Sequence, residues 1–496
     1  MKRLALLAAI VVASAVLWFP AAPAPAVPSA PFRASSPFVR DASGRVRFFH
    51  GVNAVWKLKP YYPPSTEYPS PFATTLDKSY FDSRDAAFLA DNGLNLVRLG
   101  VLWAGVEPKR GVFDGAYLDR IQELVRMLGQ RGVDVLLDFH QDLYNERFQG
   151  EGFPDWATIN EVPATNCCGF PGDYFTPAVM RAFDNLWTRP GLRAQYAKSW
   201  ATVAARFAAE PNVLGYDLMN EPWPGTQWPT CASPAGCPVF QNLFLQPFQE
   251  SSASAIRAAG GPGIAFWEPD VTNDFGAGDF VGLAHRFADR NNGISFHAYC
   301  LIGGLVPGVS RADDPACPYQ EKLVFKQQSL ASARNRSAPL LSEFGASDDL
   351  VDIGRVAKLA DKNMVSWTYW DYGSWSDPTG NPGAEGMFEG DLSRPATLKQ
   401  PKADVLIRTY PQAVAGTPES FSFDATTGTF TMTYAADPST TSGPTVIFVP
   451  VMRPGFGGHY VVRVTGPATV TSAPDAPLLT LTSTARGIVT VRVAKA

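Results

Sequence analysis

The sequence contains few charged residues and no cluster of basic ones. Of its 496 residues, 18% are Asp, Glu, Lys or Arg, and the formal net charge is −4. A nucleic-acid-binding surface needs clustered lysine and arginine, so this balance argues against such a partner. Beyond its N-terminus the chain also lacks an apolar run long enough to cross a bilayer. Its hydrophobic fraction of 46% is ample for a large core, which excludes global disorder.

The first 26 residues predict a secretory signal peptide. Lys2 and Arg3 precede an apolar run of 16 residues at 4–19, and an alanine- and proline-rich stretch follows at 21–26. This order, with cleavage after Ala26, is typical of an export signal. A membrane anchor is the alternative, but a spanning helix needs about 20 apolar residues. We therefore expect an extracellular protein, with residues 27–36 as a Pro- and Ala-rich leader.

Cysteine is scarce, but its six copies are an even number. In an exported chain this predicts disulfides. Cys231–Cys237 and Cys300–Cys317 are the natural local pairs because each closes a short loop, although the sequence does not settle the connectivity. Metal binding is the alternative, and no histidine lies close in sequence to any of these thiols. Disulfides are therefore the favoured interpretation.

Tryptophan is absent after Trp375, and the residue composition of the chain changes from about residue 412. Short alternating runs rich in threonine and valine recur there with turn residues between them, for example at 429–434 and 488–493. This pattern predicts a C-terminal all-β sandwich domain over residues 411–496. Because tryptophan is the commonest sugar-stacking residue, its absence favours a domain that braces its neighbour over one that binds sugar or a membrane surface.

Upstream, over residues 37–410, strand-like runs alternate with helix-like ones. This alternation predicts an α/β fold, a (β/α)8 TIM barrel. The strand-like runs are 48–53, 94–100, 133–139, 213–219, 263–267, 293–297, 340–343 and 365–370.

Polar and aromatic side chains collect where these runs end. The carboxyl ends of the strands form the active site of such a barrel. Any one of these residues alone would be explained as a satisfied buried polar group, but their convergence at one level favours a functional site. The residues are Asn53, Arg98, His140, Asp142, Asn220, Glu221, His297, Tyr299, Glu343 and Trp370.

Two of these side chains are glutamates on different strands, Glu221 and Glu343. Glycosidic cleavage needs a carboxylic acid to protonate the leaving oxygen and a carboxylate at the anomeric carbon. A salt bridge with Arg98 at the barrel mouth is the structural alternative. For the pair in this setting the sequence favours catalysis.

A metal site is a further alternative. Asp138, His140 and Asp142 alternate along one run, so all three could face the same side of a strand. However, Asp142 falls beyond the strand end, and no second cluster supplies further ligands. A histidine beside a carboxylate can equally orient a sugar, so we expect neither a metal nor a cofactor.

The motifs resemble those of the retaining glycoside hydrolases of family 5, clan A, over about residues 37–400. Asn220-Glu221-Pro222 follows an apolar strand, and Glu343 ends a later strand within the segment 342–345. The resemblance implies Glu221 as acid/base, Glu343 as nucleophile and Arg98, with Tyr299, as the group that tunes the nucleophile. The carboxyl groups of Glu221 and Glu343 are then expected about 5–5.5 Å apart. The substrate-binding residues that it implies are Lys57, His140, Asp142, Asn220, His297, Tyr299 and Trp370.

Within that family, segments 139–144 and 215–225 and the appended β-sandwich are similar to those of endoglycoceramidases. Those enzymes cut the bond between oligosaccharide and ceramide in glycosphingolipids. The resemblance implies a glycolipid substrate whose sugar contacts Asp142 and one lysine, Lys57 or Lys59. Peripheral contact with a lipid or micelle surface is compatible with it.

Two apolar loops, 238–248 and 301–307, would give the ceramide a surface beside the catalytic pair. Alternatively, they pack on each other beneath a disulfide-pinned lid. Two other functions stay open from the sequence. One is a polysaccharide endo-β-glucanase or mannanase, for which Trp223, Trp228 and Trp375 would line an open groove. The other is a non-catalytic glycolipid-binding protein.

Overall fold

The computed structural model describes residues 31–64, 68–69, 78–79, 81–300, 313–373, 375, 377–389 and 395–496. The predicted signal peptide, with its cleavage point, and the apolar loop at 301–307 lie outside these residues. Within the described part of the chain, no helix has the length and apolar character that a membrane crossing requires.

The described chain begins with three antiparallel strands that lie outside the barrel. These are β1 (Phe32–Ser35), β2 (Phe38–Asp41) and β3 (Val46–Arg47). β3 pairs with a strand from the far end of the sequence, in a register that places Val46 opposite Val414. The predicted boundary between leader and barrel, at residues 36 and 37, therefore falls between two strands of the C-terminal sheet.

Eight parallel strands then close into a barrel, as predicted. Several are rich in valine and leucine and buried along their whole length, which is typical of strands covered on both faces. Pairing of the eighth strand with the first, through Trp367 and His50, closes the barrel. The barrel strands are β4 (His50–Ala54), β7 (Leu96–Val101), β8 (Asp134–Phe139), β9 (Val213–Asp217), β10 (Ile264–Trp267), β11 (Asn292–Ala298), β12 (Ala338–Phe344) and β13 (Ser366–Tyr369). Two short strands between β4 and β7, β5 (Tyr68–Pro69) and β6 (Lys78–Ser79), pair with each other outside the barrel.

Amphipathic helices cover the outside of the barrel. In the helix at 115–129, Ile121, Leu124 and Leu128 are buried, and the Asp114 carboxylate caps its first turn. Between β10 and β11 the chain forms a 3-10 turn, Val271–Phe275, in place of an α-helix. The described helices are α1 (Ser83–Asp91), α2 (Trp103–Val106), α3 (Gly115–Gly129), α4 (Pro177–Thr188), α5 (Pro190–Phe207), α6 (Trp228–Cys231), α7 (Pro238–Phe240), α8 (Gln246–Ala258), α9 (Cys317–Asn335), α10 (Leu350–Asn363), α11 (Pro382–Glu385) and α12 (Gln400–Leu406).

The C-terminal region is all β, as predicted, and consists of two antiparallel sheets. Its strands are β14 (Tyr410–Val414), β15 (Gly416–Asp424), β16 (Thr429–Ala436), β17 (Thr445–Phe448), β18 (Tyr460–Thr465), β19 (Ala468–Val470), β20 (Leu478–Ser483) and β21 (Gly487–Lys495). One sheet has the order β1-β2-β3-β14-β17-β20-β19, and the other has the order β15-β16-β21-β18. Strict alternation along β16 buries Phe430, Met432 and Tyr434 and leaves the intervening threonines partly exposed.

The barrel and the C-terminal sheets share one continuous core. At their junction the His50 ring stacks on Trp367 of β13, with centroids 4.2 Å apart, and on Tyr410 of β14, at 3.6 Å. The Tyr410 hydroxyl also donates a hydrogen bond to the carbonyl of Gly93, at 2.6 Å. Aromatic stacking and a buried hydrogen bond thus join the C-terminal sheets to the first and last barrel strands.

The same histidine is expected to make the junction labile in acid. Burial lowers the pKa of His50 to about 4, although Asp361 acts in the opposite direction. Because the unfolded chain binds a proton near pH 6.5, the stability that neutral His50 contributes is complete above that pH. It declines as the pH falls towards 4, by roughly 3 kcal/mol in total. A His50→Phe variant, which keeps a stacked ring, should lose this part of the pH dependence in urea unfolding between pH 7 and 4. The exposed His285→Phe change is the control, and equal slopes for both variants would contradict the assignment.

Candidate active site

Two carboxylates meet at the carboxyl edge of the barrel. Glu343 lies at the end of β12, and Glu221 lies in the loop after β9. One oxygen of each carboxylate and one nitrogen of His297 all lie within 4.8 Å of one another. This close approach of the two carboxylates is compatible with a retaining pair, whose carboxyl groups lie about 5–5.5 Å apart.

Arg98 and Tyr299 each contact one oxygen of the Glu343 carboxylate. The Arg98 Nη1 lies 2.5 Å from Oε1, and the Tyr299 hydroxyl donates to Oε2 at 3.0 Å. Burial raises the pKa of Glu343, and the positive charges of His297 and Arg98 act against that rise. Hydrogen bonds to a carboxylate favour its ionised form. The site thus keeps a buried, oriented carboxylate at the end of β12.

Arg98 is itself fully buried and contacts four carboxylates from different strands. Although burial opposes its charge, these carboxylates hold the pKa of Arg98 well above its usual range. It therefore ties the floor of the site to four strands of the barrel. The four distances are 3.0 Å to Asp138, 2.8 Å to Asp217, 3.0 Å to Glu268 and 2.5 Å to Glu343.

The backbone of Glu221 is held in a left-handed conformation, with φ of 42°. Two buried side chains clamp it. The Glu268 carboxylate accepts a hydrogen bond from its N–H at 2.7 Å, and the Gln141 amide donates to its carbonyl at 3.0 Å. Left-handed conformations of non-glycine residues are uncommon and persist where the surroundings impose them. The clamp directs the Glu221 side chain towards His297, whose Nδ1 lies 2.8 Å from Oε1.

His297 stands between the two glutamates. Burial alone would lower the pKa of His297, but the carboxylates of Glu343 and Glu268 outweigh it and hold that pKa well above its usual value. Its Nδ1 also lies 3.5 Å from Glu343 Oε2. A protonated His297 therefore balances part of the negative charge that the paired glutamates bring into the site.

A second polar group lies beside the pair and is built around Lys57 and His140. The Lys57 ammonium lies 2.7 Å from Asp142 and 2.9 Å from Asp377. It also lies 4.7 Å above the ring centroid of Trp370, which stacks on His140 with centroids 5.2 Å apart. These cationic, anionic and aromatic groups can bind hydroxyls and one face of a sugar ring.

The two lysines, Lys57 and Lys59, differ in their surroundings. Lys57 is buried within the site, whereas Lys59 is exposed and pairs with Glu146.

The His140, Asp142 and Glu151 ligand atoms lie within 4.8 Å of one another, as a metal site would require. Lys57 supplies positive charge at this place, because its Nζ lies 2.7 Å from Asp142 and 3.7 Å from Glu151.

Removing the Lys57 charge is expected to destabilise the fold. A Lys57→Met variant leaves buried carboxylates without their cation, and breaking a buried pair in this way typically costs about 3–5 kcal/mol. Urea unfolding at neutral pH measures the loss. Lys59→Met removes an exposed lysine two residues away, and we expect a change of no more than about 0.5 kcal/mol for it. Similar losses for the two variants would show that Lys57 is not a buried counter-ion.

Disulfides fasten the loops around the mouth. The structure confirms both predicted pairs, Cys231–Cys237 and Cys300–Cys317, and adds a third between the adjacent residues Cys167 and Cys168. The apolar segment 238–248, predicted as a loop, is helical instead: it comprises α7, a π-helical turn at 241–245 and the start of α8. Phe240, Leu245 and Phe248 are buried, while Val239 and Leu243 are 62% and 64% exposed. This helical segment therefore contributes to the core and also presents an apolar surface.

The tryptophans do not form the open groove that the polysaccharide alternative requires. Trp375 is buried and packs on Trp56, and Trp223 is 4% exposed. Trp228 is partly buried against Phe175, with ring centroids 4.9 Å apart. These aromatic side chains are thus mostly packed inside the protein, and Phe175 lies at their outer edge.

The structure brings the predicted site residues together at one end of the barrel. Asn220 accepts from Arg98 at 2.9 Å and donates to the Gln141 carbonyl, so its amide supports the protein framework around Glu221. Sequence reasoning missed Glu268, although it directly follows β10 and the strand-end rule would have selected it. It also missed Asp217, the last residue of β9. The other missed residues have positions that depend on loop paths. These are Asp274, Glu151, Asp377 and Thr379.

Comparisons with known proteins agree with this geometry. The family model described as "Cellulase (glycosyl hydrolase family 5)" matches residues 70–376, and the model for the glycoside hydrolase family 5 C-terminal domain matches residues 408–493. The chain is 33% identical to endoglycoceramidase I of Rhodococcus hoagii (strain 103S), over 95% of this chain and 89% of that protein. It is 32% identical to an endoglycoceramidase of Hydra vulgaris, over 82% of this chain and 78% of that protein.

A solved structure shares both domains. It is titled endo-glycoceramidase II from Rhodococcus sp. in complex with the ganglioside GM3, and it superimposes with a TM-score of 0.74 at 27% identity. The alignment covers 92% of this chain and 99% of that one. The likeness thus extends over the barrel and the C-terminal sheets together.

Proposed function

The chain belongs to glycoside hydrolase family 5, and we propose that it is a secreted, retaining endo-glycosidase of glycosphingolipids. It hydrolyses the bond between oligosaccharide and ceramide and releases the intact glycan. The observation that carries the chemistry is the close pair of Glu221 and Glu343, with Arg98 and Tyr299 on one and His297 on the other. The substrate class rests on the relatives named endoglycoceramidases.

The geometry supports a double displacement. Glu343 attacks the anomeric carbon of the sugar joined to ceramide and forms a glycosyl-enzyme, while Glu221 gives its proton to the departing ceramide oxygen. Glu221 then takes a proton from the water that releases the sugar. Arg98 and Tyr299 orient the nucleophile and support its charge before attack. No cofactor takes part in these steps.

The polar group around Lys57 is proposed to hold the glycan. Trp370 forms the floor of the sugar site, and His140 and Asp142 bind its hydroxyls. Asp138 accepts a hydrogen bond from the His140 ring at 2.8 Å and raises the pKa of that histidine to about 10 against the effect of burial. A protonated, oriented imidazole is a donor suited to a sugar oxygen.

The ceramide is proposed to leave along the apolar side of the mouth. Phe175, Val239 and Leu243 follow strands β8 and β9 and are 46%, 62% and 64% exposed. Exposed apolar residues on segments that follow strands carrying site residues suit a substrate with a sugar head and a lipid tail.

Export and the role of the C-terminal domain belong to the same proposal. A signal-like N-terminus and three disulfides suit an oxidising compartment outside the cell. The C-terminal sheets brace the barrel through the His50 junction, on the side of the barrel strands away from the catalytic loops.

Product analysis by mass spectrometry tests the function. Purified mature protein is incubated in mild detergent with lactosylceramide, a ganglioside and a cello-oligosaccharide, beside a Glu343→Gln blank. We expect intact oligosaccharide and free ceramide from at least one lipid. Cleavage of the cello-oligosaccharide alone would assign the enzyme to polysaccharides instead. If a wider panel of glycosphingolipids also released no sugar, the non-catalytic binder would replace the proposal.

A further inference from the structure

A further buried carboxylate faces the catalytic pair from the loop after β10. Asp274 is 3% exposed and lies on the 3-10 turn Val271–Phe275. Its Oδ2 is 3.8 Å from His297 Nδ1, the nitrogen that lies 2.8 Å from Glu221 Oε1. Asp274 therefore shares a histidine neighbour with the proposed acid/base.

The turn that carries Asp274 is fixed in place on several sides. The N–H of Val271 donates to the carbonyl of Pro222, the residue after Glu221, at 3.2 Å. On the same turn, Gln328 of α9 donates to Asn273 at 3.3 Å. The Asp274 carboxylate is consequently held relative to the backbone that carries Glu221 and does not depend on a mobile loop.

The hydrogen bonding around His297 leaves Asp274 Oδ2 unsatisfied as an acceptor. The Nδ1 nitrogen carries one proton at most, and its shortest contact is to Glu221. Among the residues that the structure describes, Asp274 Oδ2 is buried and has no hydrogen-bond donor. A buried, ionised carboxylate without a donor is costly. A protonated carboxyl group would instead be a donor and could give its hydrogen bond to a neighbouring carboxylate.

Three charged groups face Asp274, and burial together with the two carboxylates among them favours its neutral form. They are His297 from β11, Glu221 after β9 and Glu268 after β10, while α9 contributes the neutral side chains of Gln328 and Leu323 to the turn. Burial raises the pKa of Asp274 well above its usual range. His297 opposes this effect, and Glu221 adds to it through like charge and a shared hydrogen bond.

We propose that Asp274 is a positioning residue that keeps its own proton and donates a hydrogen bond to Glu221 whenever Glu221 is ionised. This inference rests on the proposed acid/base role of Glu221. In the first step the Glu221 proton moves to the ceramide oxygen as its bond to the sugar breaks and the bond to Glu343 forms. The Asp274 proton stays on Asp274 and stabilises the new carboxylate. In the second step Glu221 takes a proton from water as the bond to Glu343 breaks, and the hydrogen bond is released.

The alkaline limb of kcat/KM against pH, measured on lactosylceramide, tests the inference because it reports the pKa of the acid that must be protonated. Asp274→Leu removes the donor, so we expect the limb to move to higher pH by roughly one unit. Asp274→Asn retains a neutral donor, so its limb should stay at the wild-type position. If the Leu variant does not fold, Asp274→Ala makes the same test. A limb that moves down in the Asn variant, or that moves in neither variant, overturns the proposal.

A matched control lies five residues further along the same loop. Asp279 is also buried, but its carboxylate caps the N–H of Val281, at 2.8 Å. Asp279→Asn should leave the alkaline limb unchanged. Glu221→Gln is measured in parallel, because full activity in that variant would refute the acid/base assignment itself. An inactive Glu221→Gln together with unmoved Asp274 limbs would refute only the role of Asp274.

Discussion

Replacing Glu343 with glutamine is expected to lower kcat/KM on a glycosphingolipid by roughly four orders of magnitude or more while the protein remains folded. The amide occupies the same space but is a poor nucleophile, so the glycosyl-enzyme cannot form. Arg98 also loses the carboxylate that it contacts at 2.5 Å. Steady-state rates measured by release of free ceramide, with thermal unfolding to check the fold, make the comparison.

Glu321 offers a matched control for this loss. It is buried and paired with an arginine, Arg355, at 2.6 Å, but it lies on α9 outside the catalytic pair. Glu321→Gln should retain close to wild-type kcat. A 2-fluoro glycoside that slows turnover should in addition leave a sugar adduct on the Glu343 peptide. An adduct on Glu221, or wild-type turnover by Glu343→Gln, would contradict the nucleophile assignment.

The second large effect is expected at Glu221 and should depend on the leaving group. Ceramide leaves through an alkoxide, which needs a proton in the transition state, so Glu221→Gln should lower kcat/KM on the lipid by roughly 10²–10⁴-fold. In a nitrophenyl lactoside the leaving group is a nitrophenolate, which departs without that help. Formation of the glycosyl-enzyme from this substrate should therefore be far less affected. The glycosyl-enzyme then accumulates, because no base activates water for its hydrolysis.

Added azide separates the two steps in the same variant. A small anionic nucleophile needs no general base, so azide should accelerate breakdown of the glycosyl-enzyme and yield a glycosyl azide with the anomeric configuration of the substrate. Wild-type protein should gain little from azide. Equal losses on lipid and nitrophenyl substrates, with no rescue, would mean that Glu221 supports the structure of the site without transferring a proton.

Much of the site could be predicted because barrel strands end at one level. Polar residues within or at the end of apolar strand-like runs identify Arg98, His297 and Glu343 from local sequence alone. The same rule applied to Trp267-Glu268 would have found the clamp on Glu221. The fold class followed from the same alternation of strands and helices.

The remaining residues depend on distances that local sequence does not encode. Asp274 lies near the pair on the 3-10 turn that follows β10, and Asp377 reaches Lys57 from a loop after the last barrel strand. The pairing of β3 with β14 has no local signal either, because its partners are hundreds of residues apart. In each case the tertiary path decides which side chains meet.

The pairing of Val46 with Val414 also governs the order in which the chain can fold. The whole barrel lies in sequence between those two strands. The edge of β3 therefore stays unpaired until almost the entire polypeptide has been synthesised. Contacts of such long separation form slowly, and an open edge is prone to pair with other chains. Loss of β14 would expose the edge of β3, which directly precedes the barrel's first strand in sequence.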